Sequence, residues 1–408
     1  LLALEGLKFE DICDFTHPLM RICFICGSLE PGRDGVGDYT RRLAAEFIRQ
    51  GHRVTAIALN ERALVAEIDE TQMGEVTSLR VLRLPASQSW VQRAQRAERW
   101  TQAFQPDWLS LQFVPFSFHP KGLPWDLHRC LKAIAGNYRW HCMMHELWLG
   151  LSTSHKLKEK LWGKVQRQII IRILRGLRPS LVHTSNQLYR RVLADAGIPS
   201  RILPLFSNIP VAPPSNWTNR KLAAAGLASM DRSRWLLLGI FGAMHEAWFA
   251  EIDRWLDSVA KRCEDAGRRL LVVGIGKINS SEKARFDELA AVYAKRIKFL
   301  HWSEQAPENI SDFLQAIDAG ISTVEESFLG KSGAVAAYRD HGLPVLVVRT
   351  DASQDNSRTT AESLQAIDQL LSNPKNHKTR PRRFDTSVLI VVQQMLESMQ
   401  GNSEHGIP

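Results

Sequence analysis

Along most of the chain the apolar positions switch between two periods. Short runs rich in Val, Ile, Leu and Cys at residues 21–27, 53–59, 78–84, 107–114, 138–144, 180–184 and 201–205 predict strands, and the stretches between them carry apolar residues at helical spacing. Between the first two runs, Tyr39, Leu43, Ala44, Phe47 and Ile48 line one face of a helix over 38–50, which Gly51 ends. The Pro/Asn-rich segment SNIPVAPPSN, 207–216, breaks the rhythm and reads as a linker. From Arg234 the alternation resumes, with strands at 235–241, 270–274, 297–300, 320–324 and 344–348. This pattern predicts an α/β protein with two doubly wound domains in tandem, whose sheets face a common cleft with their carboxyl ends. The predicted divisions are an extension 1–19, a first domain 20–206, a linker 207–233, a second domain 234–384, and a helix and tail 385–408 that packs back across the junction.

Composition changes this picture little. A chain of 408 residues is too long for one ordinary core, and 44% hydrophobic with 23% charged residues suits a globular protein and excludes disorder. Six scattered cysteines, of which Cys23 and Cys26 fall on opposite faces of a strand, argue for free buried thiols in a reducing compartment. In that setting the sequon at Asn216 has no meaning. Residues 1–19 carry one lysine and four acids, the wrong balance for a signal peptide, and no run reaches the length of a membrane span.

Charge changes it more. The net charge is +9, and residues 156–178 hold eight Lys/Arg against the single acid Glu159, interleaved with Leu157, Leu161, Trp162, Val165 and Ile169. Such a helix either lies on an anionic membrane surface or packs on the core with a solvated basic face. No zinc-finger, RNP or helix-turn-helix signature points to nucleic acid.

Two stretches carry candidate chemistry. Residues 319–348 predict a strand, a loop ending in Gly330-Lys331-Ser332-Gly333, a short helix and a second strand. There a helix N-terminus, a capping Ser332, an open Gly333 and the charge of Lys331 converge on one point that suits a phosphate; the alternative is a surface loop with a stray lysine. The first strand runs into Gly32, Gly35 and Gly37 directly before a helix, a turn able to meet an anion or a sugar hydroxyl, though without the dinucleotide spacing.

In context, residues 35–60, GVGDYTRRLAAEFIRQGHRVTAIALN, resemble the opening of retaining glycosyltransferases of the GT-B fold, the family-4-like group that uses nucleotide sugars. Pro106-Asp107-Trp108 resembles that family's Pro-Asp strand, and Met144-His145-Glu146-Leu147-Trp148 its histidine loop. Residues 270–276 resemble its Gly-x-Gly strand end, and 297–324 its strand, helix and Ala-Asp-strand succession. The resemblance spans about 20–350 and implies two Rossmann-like domains, the second binding the donor. It implies a hexosyltransferase-type enzyme that passes sugar, with retention, from a nucleotide sugar to a saccharide or lipid-linked acceptor. It further implies His145 and Glu146 as catalytic residues and Gly35, Val36, Gly37, Gly242, Lys331, Ser332, Gly333 and Glu326 at the donor. No cofactor and no metal are called for, because lysine and helix amides supply the charge. The expected place is the cytoplasm, peripheral at the inner face of the cell membrane if the basic helix meets lipid.

The chain departs from the family in two places. The second glutamate of the Glu-x7-Glu pair, which binds the ribose, is Ala337 here, and the Arg and Lys usual after the glycine of the second domain are missing from Gly242-Ala243-Met244-His245. His245 reads as a helix-start residue and His145, alternatively, as a satisfied core histidine. The departures motivate another reading, a weakened GT-B protein serving as a binding or assembly subunit. A nucleotide-sugar epimerase of the same architecture ranks lower, for want of placed acid/base carboxylates.

Overall fold

The structure, a computed structural model, describes residues 18–74, 77–152, 155–228, 230–244, 246–348, 356–372 and 386–404. The predicted extension up to residue 17, His245 and the basic tail 375–383 lie outside the described residues. Eight strands form the first sheet: β1 (Arg21–Cys26), β2 (Arg53–Glu61), β3 (Ile68–Met73), β4 (Ser78–Pro85), β5 (Trp108–Phe113), β6 (Arg139–Met144), β7 (Leu181–Thr184) and β8 (Arg201–Ile202). Their order is β3-β4-β2-β1-β5-β6-β7-β8, parallel throughout except for β3 against β4. Five further strands, β9 (Trp235–Phe241), β10 (Arg269–Ile275), β11 (Ile297–Trp302), β12 (Ala319–Ser322) and β13 (Val345–Val347), form an all-parallel sheet in the order β11-β10-β9-β12-β13. The order reverses between β1 and β5 in one sheet and between β9 and β12 in the other, and crevices open at such points.

Strands such as β1 and β10 are apolar and buried on both faces, as a covered parallel sheet demands. One departure is β3, IDETQM, which alternates between exposed and half-buried positions and carries no apolar run to betray it. It is held as an antiparallel edge by its backbone ladder and by charge: Glu70 pairs with Arg83 at 3.2 Å and Asp69 with Arg80 at 3.3 Å. Arg83 also binds buried Glu61 at 2.9 Å, so that carboxylate is not left unpaired inside.

The segment after Ser207 is not loose. Asp312, in the helix Pro307–Ala316, accepts from the backbone of Ser215 at 2.6 Å and Thr218 at 2.8 Å, while Ile209 and Trp217 enter a core with Leu237, Val273 and Phe313. It is therefore fastened to the second sheet's layer.

The chain ends on the other side. Val388, Val391, Val392, Met395, Leu396 and Met399 of the helix Thr386–Glu404 join the core formed by β1, β2 and the helix Gly35–Arg49. Met395→Ala is therefore expected to destabilise the first half by about 2–5 kcal/mol, and Glu397→Ala on the same helix by less than about 0.5 kcal/mol, in urea unfolding followed by circular dichroism.

Candidate functional site

The end of β6 and the loop after β12 meet across the cleft. Lys331 Nζ donates to Glu146 Oε1 at 3.1 Å, and Ser152 Oγ donates to Glu325 Oε1 at 2.6 Å. Between these contacts Gly330 passes so close that an added Cβ would stand 2.4 Å from the Ser185 carbonyl oxygen, an approach only glycine permits. The contacts border a cavity of about 300 Å³ whose walls include Glu146, Trp148, Ser152, Tyr189, Glu325 and Phe328, at the small end of ligand-pocket sizes.

Lys331 sits over the Phe328 ring at 5.2 Å and over Tyr189 at 5.9 Å. Burial pushes its pKa down, but Tyr189 and Glu146 outweigh burial and hold it above the ordinary lysine value. The lysine is thus a fixed cation at neutral pH. Directly after it, Ser332 caps the helix Gly333–Asp340 by accepting from Val335 N–H at 3.3 Å. The amides of Gly333 and Ala334 open that helix with no carbonyl of their own helix to bond, and nothing stands within 4 Å of a Cβ built on Gly333. Lysine, the first amides of the helix and open space come together here, while the Ser332 amide donates to the Leu329 carbonyl at 3.2 Å.

Gly242 ends β9 with φ +90°, a turn that suits glycine, and Thr323 Oγ1 ties the adjoining loop to β12 through the Ala243 carbonyl at 2.9 Å. Of the two neighbouring glutamates, Glu325 is buried and lines the cavity, whereas Glu326, the residue expected at the donor, is not among its walls.

The glycine turn of the first half also needs correction. The Asp34 carboxylate accepts from Val36 N–H at 3.0 Å and Gly37 N–H at 2.8 Å, and its second oxygen accepts from Ser117 Oγ at 2.9 Å. Those amides already hold an anion of the protein's own, so Val36 and Gly37 have no donors to offer a diphosphate. Gly37 serves packing instead, since a Cβ there would lie 2.4 Å from the Ser28 carbonyl oxygen, and the Gly35 carbonyl accepts from Asn208 at 2.8 Å. Asp34, Glu30, Glu61, Arg33 and Arg62 border a second hollow of about 610 Å³ over the ends of β1 and β2.

His145 follows β6 with its ring edge against Tyr39, centroids 4.8 Å apart, and its Nε2 2.9 Å from Gln112 Oε1. Burial drives its pKa down to about 3, so the ring is neutral. Behind it, on the same sheet face, a polar strip that went unnoticed in the sequence pairs Ser110 with His141 at 2.8 Å and His141 with His183 at 3.1 Å. Ala337, which stands where the resemblance calls for a second glutamate, is fully buried among apolar neighbours. Among the described residues no group of three or more His, Cys, Asp or Glu is placed to hold a metal ion.

No family model matches the sequence, and no curated protein sequence does. Solved structures match over nearly the whole chain. Anabaena HepE, in complex with UDP and glucose, superposes with a TM-score of 0.56 at 15% identity, over 94% of this chain and 100% of that one. The UDP-forming α,α-trehalose-phosphate synthase of Burkholderia vietnamiensis gives 0.57 at 8% identity, over 96% and 99%. The fold is GT-B. The catalytic domain of Arabidopsis thaliana starch synthase IV, bound to ADP and acarbose, matches with a TM-score of 0.52 at 11% identity, over 95% of this chain and 100% of that one. In this GT-B chain Lys331 and Glu146 face each other from the two sheets across the cleft.

The buried histidines give the stability a pH dependence of definite sign. Burial lowers the pKa of His145 to about 3 and of His183 to about 4, and that of His141 well below the usual value. The unfolded chain takes up these protons below about pH 6.5 while the folded chain refuses them, so stability is full above that pH and falls as pH drops. About 1.5 kcal/mol for each of His145 and His183 is expected to be lost between pH 6.5 and 5, read from urea midpoints at the two pH values.

Proposed function

We propose that this protein is a glycosyltransferase that moves a sugar from a nucleotide-sugar donor to a saccharide or lipid-linked acceptor with retention of configuration. The observation that carries the proposal is Lys331, a cation at a helix N-terminus inside an interdomain cavity, paired across it with Glu146 and set against Tyr189. When the anomeric C–O bond breaks, the electron pair goes to the leaving nucleoside diphosphate. Lys331 and the amides of Gly333 and Ala334 meet the charge as it develops and need no metal to do so, while the Ser332 amide is spent on the Leu329 carbonyl at 3.2 Å. The diphosphate takes Glu146's place on Lys331, which frees the carboxylate, next to His145, for a sugar hydroxyl. Gly242 borders the donor from β9, and Glu325 supplies the early carboxylate first assigned to Glu326. HepE bound to UDP and glucose and starch synthase IV bound to ADP support a nucleotide sugar as donor.

Lys331→Ala is expected to weaken binding of the cognate nucleoside diphosphate about tenfold or more and to leave acceptor binding unchanged, in titration calorimetry after a thermal-shift panel of UDP-, GDP- and ADP-sugars. Unchanged diphosphate affinity would contradict the role of the lysine. Buried Ala337, in place of the ribose carboxylate, favours a second reading as a weakened binding or assembly subunit. Donor binding without sugar release, with or without a saccharide acceptor, would decide for it.

The acceptor side of the proposal includes an anionic membrane surface. The helix Leu157–Leu177 buries Gly163, Gln166, Ile169, Ile170, Ile173 and Leu174, so its later turns pack on the core. Its first turns do not: Leu157, Leu161 and Val165, spaced by four on one face, are 74%, 54% and 37% exposed, among Lys156, Lys158, Lys160 and Lys164. No helix among the described residues is long and apolar enough to cross a membrane, so this face would lie on the surface, at the cytoplasmic leaflet, beside Ser152 and His155 at the cavity. Flotation with vesicles containing phosphatidylglycerol is expected to carry the protein, and Leu157→Glu with Leu161→Glu to lower the bound fraction at least fivefold. Equal negligible binding to anionic and neutral vesicles would remove the membrane from the proposal.

A further inference from the structure

A face of the first sheet that is otherwise core carries a row of hydrogen-bonded polar side chains. Trp108, Met143 and Leu181 on that face join the apolar cluster beneath the helices Gly35–Arg49 and Thr386–Glu404. On the same face stand Ser110 and Gln112 of β5, His141 of β6, His183 of β7 and, just past β6, His145, every one of them buried. An unbonded polar group costs about 1–3 kcal/mol in such a place, and these groups avoid the cost by bonding to one another.

The bonds have one direction. Gln112 turns its carbonyl Oε1 to His145 Nε2 at 2.9 Å and its amide Nε2 to Ser110 Oγ at 2.8 Å. The carbonyl oxygen only accepts, so His145 Nε2 carries the hydrogen. Ser110 Oγ, which accepts from the amide, has one hydrogen left, and His141 Nδ1 at 2.8 Å receives it; His141 Nε2 then donates to His183 Nδ1 at 3.1 Å. With the edge contact to Tyr39 fixing the plane of the His145 ring, its remaining nitrogen, Nδ1, makes no hydrogen bond to any described residue.

We propose that Gln112, backed by Ser110, His141 and His183, is a positioning residue that holds His145 as its Nε2–H tautomer and so presents Nδ1 as a hydrogen-bond acceptor. The occupant of Nδ1 is then a hydroxyl donor rather than a phosphate oxygen, and within the proposed reaction that is a sugar hydroxyl. The inference rests on the sugar-transfer reading only for the identity of that hydroxyl. A neutral ring that accepts has no charge with which to hold a diphosphate, and this leaves the diphosphate to Lys331 on the opposite side of the cleft.

The test is nitrogen NMR of the full chain labelled with 15N-histidine, at pH 7 and without ligand. The His145 signals are identified by their loss in His145→Gln. A protonated Nε2 and an unprotonated Nδ1 are expected in the wild type, with Gln112→Leu producing a mixture of both tautomers. Should Gln112→Leu fail to fold, Ser110→Ala, which releases the Gln112 amide to turn over, is expected to produce the mixture instead. A wild-type ring protonated at Nδ1, or already mixed, overturns the inference, as does a wild-type tautomer kept in whichever variant folds. No donor or acceptor enters the measurement, so its failure is distinguishable from failure of the sugar-transfer reading.

Discussion

The carboxylate of Asp340 fastens both places where the chain crosses between the two sheets. It accepts from the backbone N–H of Ser207 at 2.8 Å, where the chain leaves the first sheet, and from Ser387 Oγ at 2.9 Å, where the chain returns. An acid at the last position of the helix Gly333–Asp340 opposes the helix dipole, and these two donors offset that cost. The same short helix, about 12 Å long, begins at Ser332 beside the cleft lysine. One rigid element therefore spans the distance from the anion site to the crossings, so the position of Lys331 and the relative placement of the two sheets are mechanically one variable.

The two glycine-bearing turns look alike in sequence and are opposite in charge. Each opens a helix at a point where the strand order reverses, and each holds a carboxylate of the protein itself. Asp34 is a local cap, two and three residues from the amides it accepts from and tied by Ser117, an arrangement worth about 0.5–2 kcal/mol that recovers at once when disturbed. Glu146 reaches Lys331 from the other sheet, is 40% exposed, and belongs to the class of half-exposed pairs worth about 0–1 kcal/mol. A ligand anion that makes several bonds displaces the second carboxylate and not the first. That difference separates an exchangeable carboxylate on Lys331 from a fixed cap at Asp34.

Much of the architecture was legible because covered parallel strands must be apolar on both faces, and such runs have few competitors. The strand predicted at 235–241 is Trp235–Phe241, and that predicted at 53–59 is extended only by Asn60 and Glu61. What escaped was held by something other than apolar periodicity: β3 by its ladder and by Arg80 and Arg83, and Glu325 at the cavity wall by its bond from Ser152 across the cleft. The basic helix divides into a part that packs on the core and a part that stays exposed. Ile169, Ile170 and Leu174 go to the core, while Leu157, Leu161 and Val165 stay outside, and one periodicity runs through both.

The polar strip behind His145 is a local rule broken inside an otherwise consistent core. Trp-Leu-Ser-Leu-Gln-Phe places a hydroxyl and an amide on the same face as Trp108, where Ala and Leu would pack at lower cost. Hydrogen bonds that merely replace bonds to water return about 1 kcal/mol each, so the strip does not improve on an apolar core. Replacing every member at once by apolar residues of like shape would be close to neutral, while removing one strands its neighbours. A network that gains nothing in stability and is costly to break singly serves orientation, and among the described residues it ends on His145, just past β6. The conflict between face and residue type is thus itself the sign of a site, visible in alternate positions of β5, β6 and β7 once their faces are known.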